Sequence, residues 1–100
     1  MKPDDTRALY MGANGLVALG ERERGLKLAQ RAREIEPDEP MVLYNLACIY
    51  SLAGEVDEGV DCLENAFDHG FTHVAWVRKD SNLDTLREHP RFQALMSRLD

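Results

Sequence analysis

The chain repeats itself. Displaced by 34 residues, "LYMGANGLVALGERERGLKLAQRAREIEP" lies over "LYNLACIYSLAGEVDEGVDCLENAFDHGF", and seven identities fall in register: Leu9/Leu43, Tyr10/Tyr44, Ala13/Ala47, Gly20/Gly54, Glu21/Glu55, Gly25/Gly59 and Ala32/Ala66. A fixed period of this length marks a small unit that cannot bury its apolar face alone and must stack on a neighbour. Each copy reads as helix, short turn, helix. The spacing predicts a first helix from about Asp4–Thr6 to Gly20 and a second from about Arg22 to Ile35. A third starts at Asp38 as N-cap, tolerates Pro40 in its first turn and stops at Gly54. The fourth runs from about Val56 to His69, with Gly70 as its C-terminal cap.

The register also resolves a local conflict. Asn14-Gly15 between apolar runs is a turn signal. Gly12 and Gly15, however, fall opposite Leu46 and Ile49, in a stretch with no turn residue before Gly54. Tyr10 to Leu19 is therefore expected as continuous helix, although two interior glycines cost it about 1 kcal/mol each relative to alanine. A phosphate-binding glycine loop would need a preceding strand, and the sequence offers none.

These residues resemble the tetratricopeptide repeat family. The resemblance covers about residues 6 to 73 as two repeats. Ala13 and Ala47 fill the small-residue slot of the first helix, Leu16 and Tyr50 the larger slot after it, and Gly20 and Gly54 the turn. Gly25 and Gly59 open the second helix, Ala32 and Ala66 follow, and Pro37 ends the first repeat. Phe71 replaces the second proline, and Leu9 and Leu43 replace the family's early tryptophan. Glycine at 25 and 59 is smaller than the usual alanine, which favours close helix approach. The resemblance implies an all-α, right-handed superhelix of two helix-turn-helix repeats, 6–39 and 40–73, within one domain. Residues 74–100 then form a degenerate third repeat acting as a helical cap.

For the cap, Thr72 is expected to open a short helix through Lys79, Ser81 a second near Asn82 to Glu88, and His89-Pro90 a third ending near Leu99. Trp76, Leu83, Leu86, Phe92, Leu95 and Leu99 would cover the flank of repeat two, which a stack of two repeats otherwise shows to water. The tail also resembles the C-terminal tetratricopeptide regions of bacterial multidomain signalling proteins, including class III adenylate or guanylate cyclases and serine/threonine kinases. The residues that carry this are Trp76, Asp80, Leu83, Leu86, Arg87, Pro90, Arg91, Phe92, Leu95 and Leu99.

Composition removes several functional classes. A formal net charge of -6 disfavours a phosphate backbone, which needs a clustered basic face. The apolar runs are far shorter than a membrane span, and "MKPDDTRAL" carries charge where a signal peptide needs its apolar segment, so a cytoplasmic setting is expected. Cys48 and Cys62 read as packed thiols rather than a disulfide framework. His69 and His73 are four apart with Cys62 upstream, but Gly70 interrupts the helix between them, so no metal site is expected. "EVDEGVD" reads as a solvated helix start and "ERERGLKLAQRARE" as a face of pairs within one helix. No nucleophile has a base placed beside it, and neither an enzyme nor a cofactor is expected.

What remains is a surface. The resemblance implies that first helices line a concave groove for a protein or peptide ligand, here Arg7, Tyr10, Met11, Asn14, Val17, Met41, Tyr44, Asn45, Cys48, Ser51 and Leu52, with Lys79 from the cap. Tyrosine supplies rigid contact area and asparagine holds a peptide backbone. Family members that clamp a terminal carboxylate use two asparagines and three basic residues. Asn14, Asn45 and Lys79 match three of those slots, whereas Tyr10 and Ala75 replace two basic ones. The alternatives are a structural or homodimerising module that packs on a catalytic domain of the same chain, and a small free-standing enzyme.

Overall fold

The computed structural model describes residues 5–99. The chain is all-α, and its helices are α1 (Thr6–Ala18), α2 (Arg22–Ile35), α3 (Pro40–Leu52), α4 (Val56–Asp68), α5 (Val74–Lys79), a 3₁₀ turn (Ser81–Leu86) and α6 (Pro90–Leu99). α1 pairs with α2 and α3 with α4, while α3 also lies against α1, α2 and the 3₁₀ turn. α3 is consequently buried on nearly every face, from Val42 to Ser51. Its apolar content follows from that position, since it alone has neighbours on both sides.

The Tyr10–Leu19 stretch contains no reversal: α1 runs unbroken through Asn14-Gly15. The backbone reverses at Gly20 and Gly54, with φ of 84° and 80°, where a side chain would be strained. Glu21 N–H then bonds Leu16 C=O, and Glu55 N–H bonds Tyr50 C=O, so the two turns close alike. α1 is capped by Asp5, whose carboxylate accepts from Arg7 N at 3.0 Å. Asp4, the earliest expected start, lies outside the described residues.

The expected side-chain caps of the other helices need correction. Asp38 does not cap α3; Glu39 does, accepting from Met41 N. Thr72 does not open α5, whose N-cap position is held by His73 without a side-chain bond. The 3₁₀ turn is capped by Asp80 rather than Ser81, with Asn82 N–H donating to Asp80 Oδ1 at 3.0 Å. Each true cap sits directly before the first helical residue, and the chain path set by packing decides which residue that is.

The apolar core joins both hairpins and the cap. Leu43, Leu46, Leu63, Val77, Leu83 and Leu86 are fully buried, and Phe92 and Leu95 nearly so. Trp76 departs from expectation: it is 47% exposed and leaves the covering of repeat two to the leucines. The charged helices also do more than expected. Within α2 only Arg24 and Glu21 pair at three-residue spacing, whereas Arg22 pairs with Glu55 and donates from Nε to Ala53 C=O at 2.8 Å. Arg33 pairs with Glu58 and Asp61. The "EVDEGVD" carboxylates thus tie α4 to α2, and Asp57 reaches His89 at the start of α6.

Two glycines separate cost from purpose. A Cβ at Gly15 would meet nothing within 4 Å, whereas one at Gly25 would lie 2.7 Å from Val17 Cγ2 and 2.9 Å from Ala13 C=O. Gly15→Ala is expected to stabilise the chain by about 1 kcal/mol through helix propensity alone. Gly25→Ala is expected to destabilise it by about 1 to 3 kcal/mol, because α1 must move away. Thermal denaturation of the two variants checks both signs. Gly12→Ala is the intermediate case, its Cβ 3.3 Å from Leu28 Cδ1.

Candidate functional site

A cleft of about 200 Å³ opens where α1, α3 and the start of the 3₁₀ turn meet. α1 contributes Tyr10, Met11 and Asn14, one helical turn apart. α3 contributes Tyr44, Asn45, Cys48 and Ile49, and the cap adds Asp80 and Asn82. The repeat register explains the symmetry, for Tyr10 and Tyr44 occupy equivalent positions. The cap residues have no such counterpart.

Asp80 organises the floor. Its Oδ2 accepts from the Tyr44 hydroxyl and from the Cys48 thiol at 3.7 Å, while Oδ1 holds Asn82 N–H. Burial and the bond to Asp80 push the Tyr44 hydroxyl well above its ordinary range. The Tyr44 ring stacks on Phe71 at 4.8 Å between centroids, and Trp76 lies tilted against both rings at 6.0 and 6.2 Å. His73 stacks flat on Trp76 at 3.9 Å. Met41, also exposed, borders a second recess with Phe71 and His73, so a half-exposed aromatic shelf continues from the cleft.

The expected groove residues divide in two. Tyr10, Met11, Asn14 and Asn45 line the cleft with side chains the core does not use; Asn45 Nδ2 donates to Met41 C=O within its own helix. Tyr44 and Cys48 line it but are themselves buried, which corrects the expectation that Tyr44 is dispensable to packing. Ser51 is not a groove residue: it is fully buried, and its hydroxyl bonds the Thr85 hydroxyl at 2.6 Å. Val17 turns to α2, where it lies against Gly25. Arg7, Leu52 and Lys79 are exposed but do not line the cleft. Asp80 and Asn82 were missed as site residues, since nothing in the 34-residue register points to them. An aspartate before a predicted helix start was the available signal.

The two histidines of the spacing argument point apart. His69 Nδ1 donates to Asn65 C=O at 2.8 Å and Nε2 faces Asp38 at 3.2 Å, while His73 stacks on Trp76. Among the described residues no three histidine, cysteine or acidic side chains are gathered as a metal cluster.

Both thiols are free and buried. Burial raises each to about 12 from the ordinary 9.0; for Cys48 the Asp80 charge adds to this, and for Cys62 the Arg33 charge opposes it. A raised folded value means that the thiols' contribution to stability is complete below about pH 9 and is lost as pH rises toward 12. Alkylation with iodoacetamide near pH 8 is accordingly expected to be at least about a hundredfold slower than in urea-unfolded chain. Labelling at equal rates in the two states would contradict this burial.

The sequence matches a curated chloroplastic protein of Arabidopsis thaliana with 37% identity over 65 residues, 64% of this chain and 19% of that protein. The chain therefore spans about a fifth of the length of the curated relative it matches. No family model matches the sequence, and no solved structure does so significantly. No described helix is long and apolar enough to cross a membrane.

Proposed function

We propose that this chain is a non-catalytic, tetratricopeptide-like module that binds a protein segment or peptide along the cleft between α1, α3 and the cap. The observation that carries this reading is the convergence of Tyr10, Met11, Asn14 and Asn45 from two hairpins onto one concave surface where the core needs none of them. Rigid aromatic area beside amide groups suits an extended backbone. The buried, protonated thiols favour a binding role over nucleophilic chemistry. A place inside a larger cytosolic signalling protein is the setting this reading implies. The bacterial part of that setting rests on the tail residues alone, and the matched relative is a plant protein.

A second reading, packing on a neighbouring domain through α2 and α4, is favoured by a wider cleft of about 470 Å³ lined by Leu26, Gln30, Arg33, Tyr50 and Glu58 among others. The two readings make opposite forecasts. Asn14→Ala with Asn45→Ala is expected to leave the melting temperature nearly unchanged and to weaken a captured partner by about 1 kcal/mol per lost hydrogen bond. Charge reversal on the outer face belongs at Arg24 and Lys27, because Arg22 and Arg33 hold the hairpins together. Calorimetric titration of both variants against the captured partner decides between them. Affinity retained in the asparagine variant and lost in the charge-reversed one removes the α1/α3 cleft as the site.

A further inference from the structure

We propose that the α1/α3 cleft selects a cationic side chain, a lysine or arginine of a bound peptide, with Asp80 as its counter-charge. This rests on the cleft being the binding site and names the chemistry it takes. Among the cleft's lining residues Asp80 is the one group charged at neutral pH, and neither lysine nor arginine lines it. The donors on Asp80 are the Tyr44 hydroxyl, the Cys48 thiol and the Asn82 backbone N–H, all neutral. They hold the carboxylate in place without cancelling its charge, so the cleft keeps a fixed negative potential that a net chain charge of -6 reinforces.

The rest of the lining fits the same ligand. An alkyl stem lies favourably along Met11 and the tyrosine rings, and a guanidinium or ammonium is attracted to an aromatic face. Asn14 and Asn45 present amides to the ligand's backbone. A terminal or side-chain carboxylate would instead meet Asp80 with no compensating cation in the cleft, and like-charge contact opposes binding.

The test uses the full chain and a panel of blocked peptides that differ at one central position: arginine, lysine, glutamine or glutamate, each otherwise neutral. Fluorescence anisotropy is expected to show arginine and lysine peptides binding at least about tenfold tighter than the glutamine peptide, with the difference shrinking as salt rises. The glutamate peptide is expected to bind weakest. Asp80→Asn keeps an acceptor for Tyr44 and a cap for the 3₁₀ turn, and is expected to remove the preference while leaving glutamine-peptide binding in place. The salt series on the unmodified chain carries the test independently if that variant folds poorly. Equal binding of all four peptides, sensitive to Asn14→Ala and Asn45→Ala, overturns the cationic preference while the cleft stands. Binding by none of them overturns both.

Discussion

A chain shortened to residues 1–75 is expected to lose its cooperative thermal transition and to aggregate. The removed segment carries Val77, Leu83 and Leu86, all fully buried, with Phe92 and Leu95 at 4% and 3% exposure. Burying each large side chain contributes about 1.5 to 3 kcal/mol, so together they match the whole stability of a typical domain, about 5 to 15 kcal/mol. Their loss also bares the partner surface on α3 and α4. Leu86 is the single most sensitive point, because its methyl groups lie over Gly59, where a Cβ would stand 2.9 Å from Cδ2. Leu86→Ala is expected to cost about 3 kcal/mol. Melting followed by circular dichroism checks both changes, and an equally cooperative melt of the shortened chain would show that the two hairpins stand without their cap.

Asp80→Ala is expected to be nearly as damaging, although the residue is only partly buried. The substitution removes the cap of the 3₁₀ turn and strands the Tyr44 hydroxyl, which is buried against Phe71. A lost cap costs about 1 kcal/mol and an unsatisfied buried hydroxyl about 1 to 3 more. Asp80→Asn, which preserves both acceptors, is expected to cost far less. A double-mutant cycle with Tyr44→Phe isolates the shared part: once the hydroxyl is gone, Asp80→Ala is expected to cost only about as much as the cap. Full additivity of the two substitutions would show that the Tyr44–Asp80 bond contributes nothing.

Helix order and most helix ends follow from local information, and the sequence by itself determined them. Gly20 and Gly54 must sit at turns because their positive φ strains any side chain, and the 34-residue register carries α1 through Asn14-Gly15 because Leu46 and Ile49 occupy the equivalent helical positions. Tyr10, Met11, Asn14 and Asn45 were legible as cleft residues for the same reason, since the register sets the helix face. Equivalent letters nevertheless do different work once the hairpins stack. Gly25 makes room for Val17 of its own hairpin, whereas Gly59 makes room for Leu86 of the cap. Tyr10 stays at the cleft's edge, while Tyr44, with a neighbour on each side, is buried and tied to Asp80. Ser51 faces Thr85, and Trp76 remains half exposed, because the leucines of the 3₁₀ turn already fill the flank. Only the tertiary structure decided these roles, since each depends on which element arrives from 30 or more residues away, and a periodic pattern holds no record of that arrival.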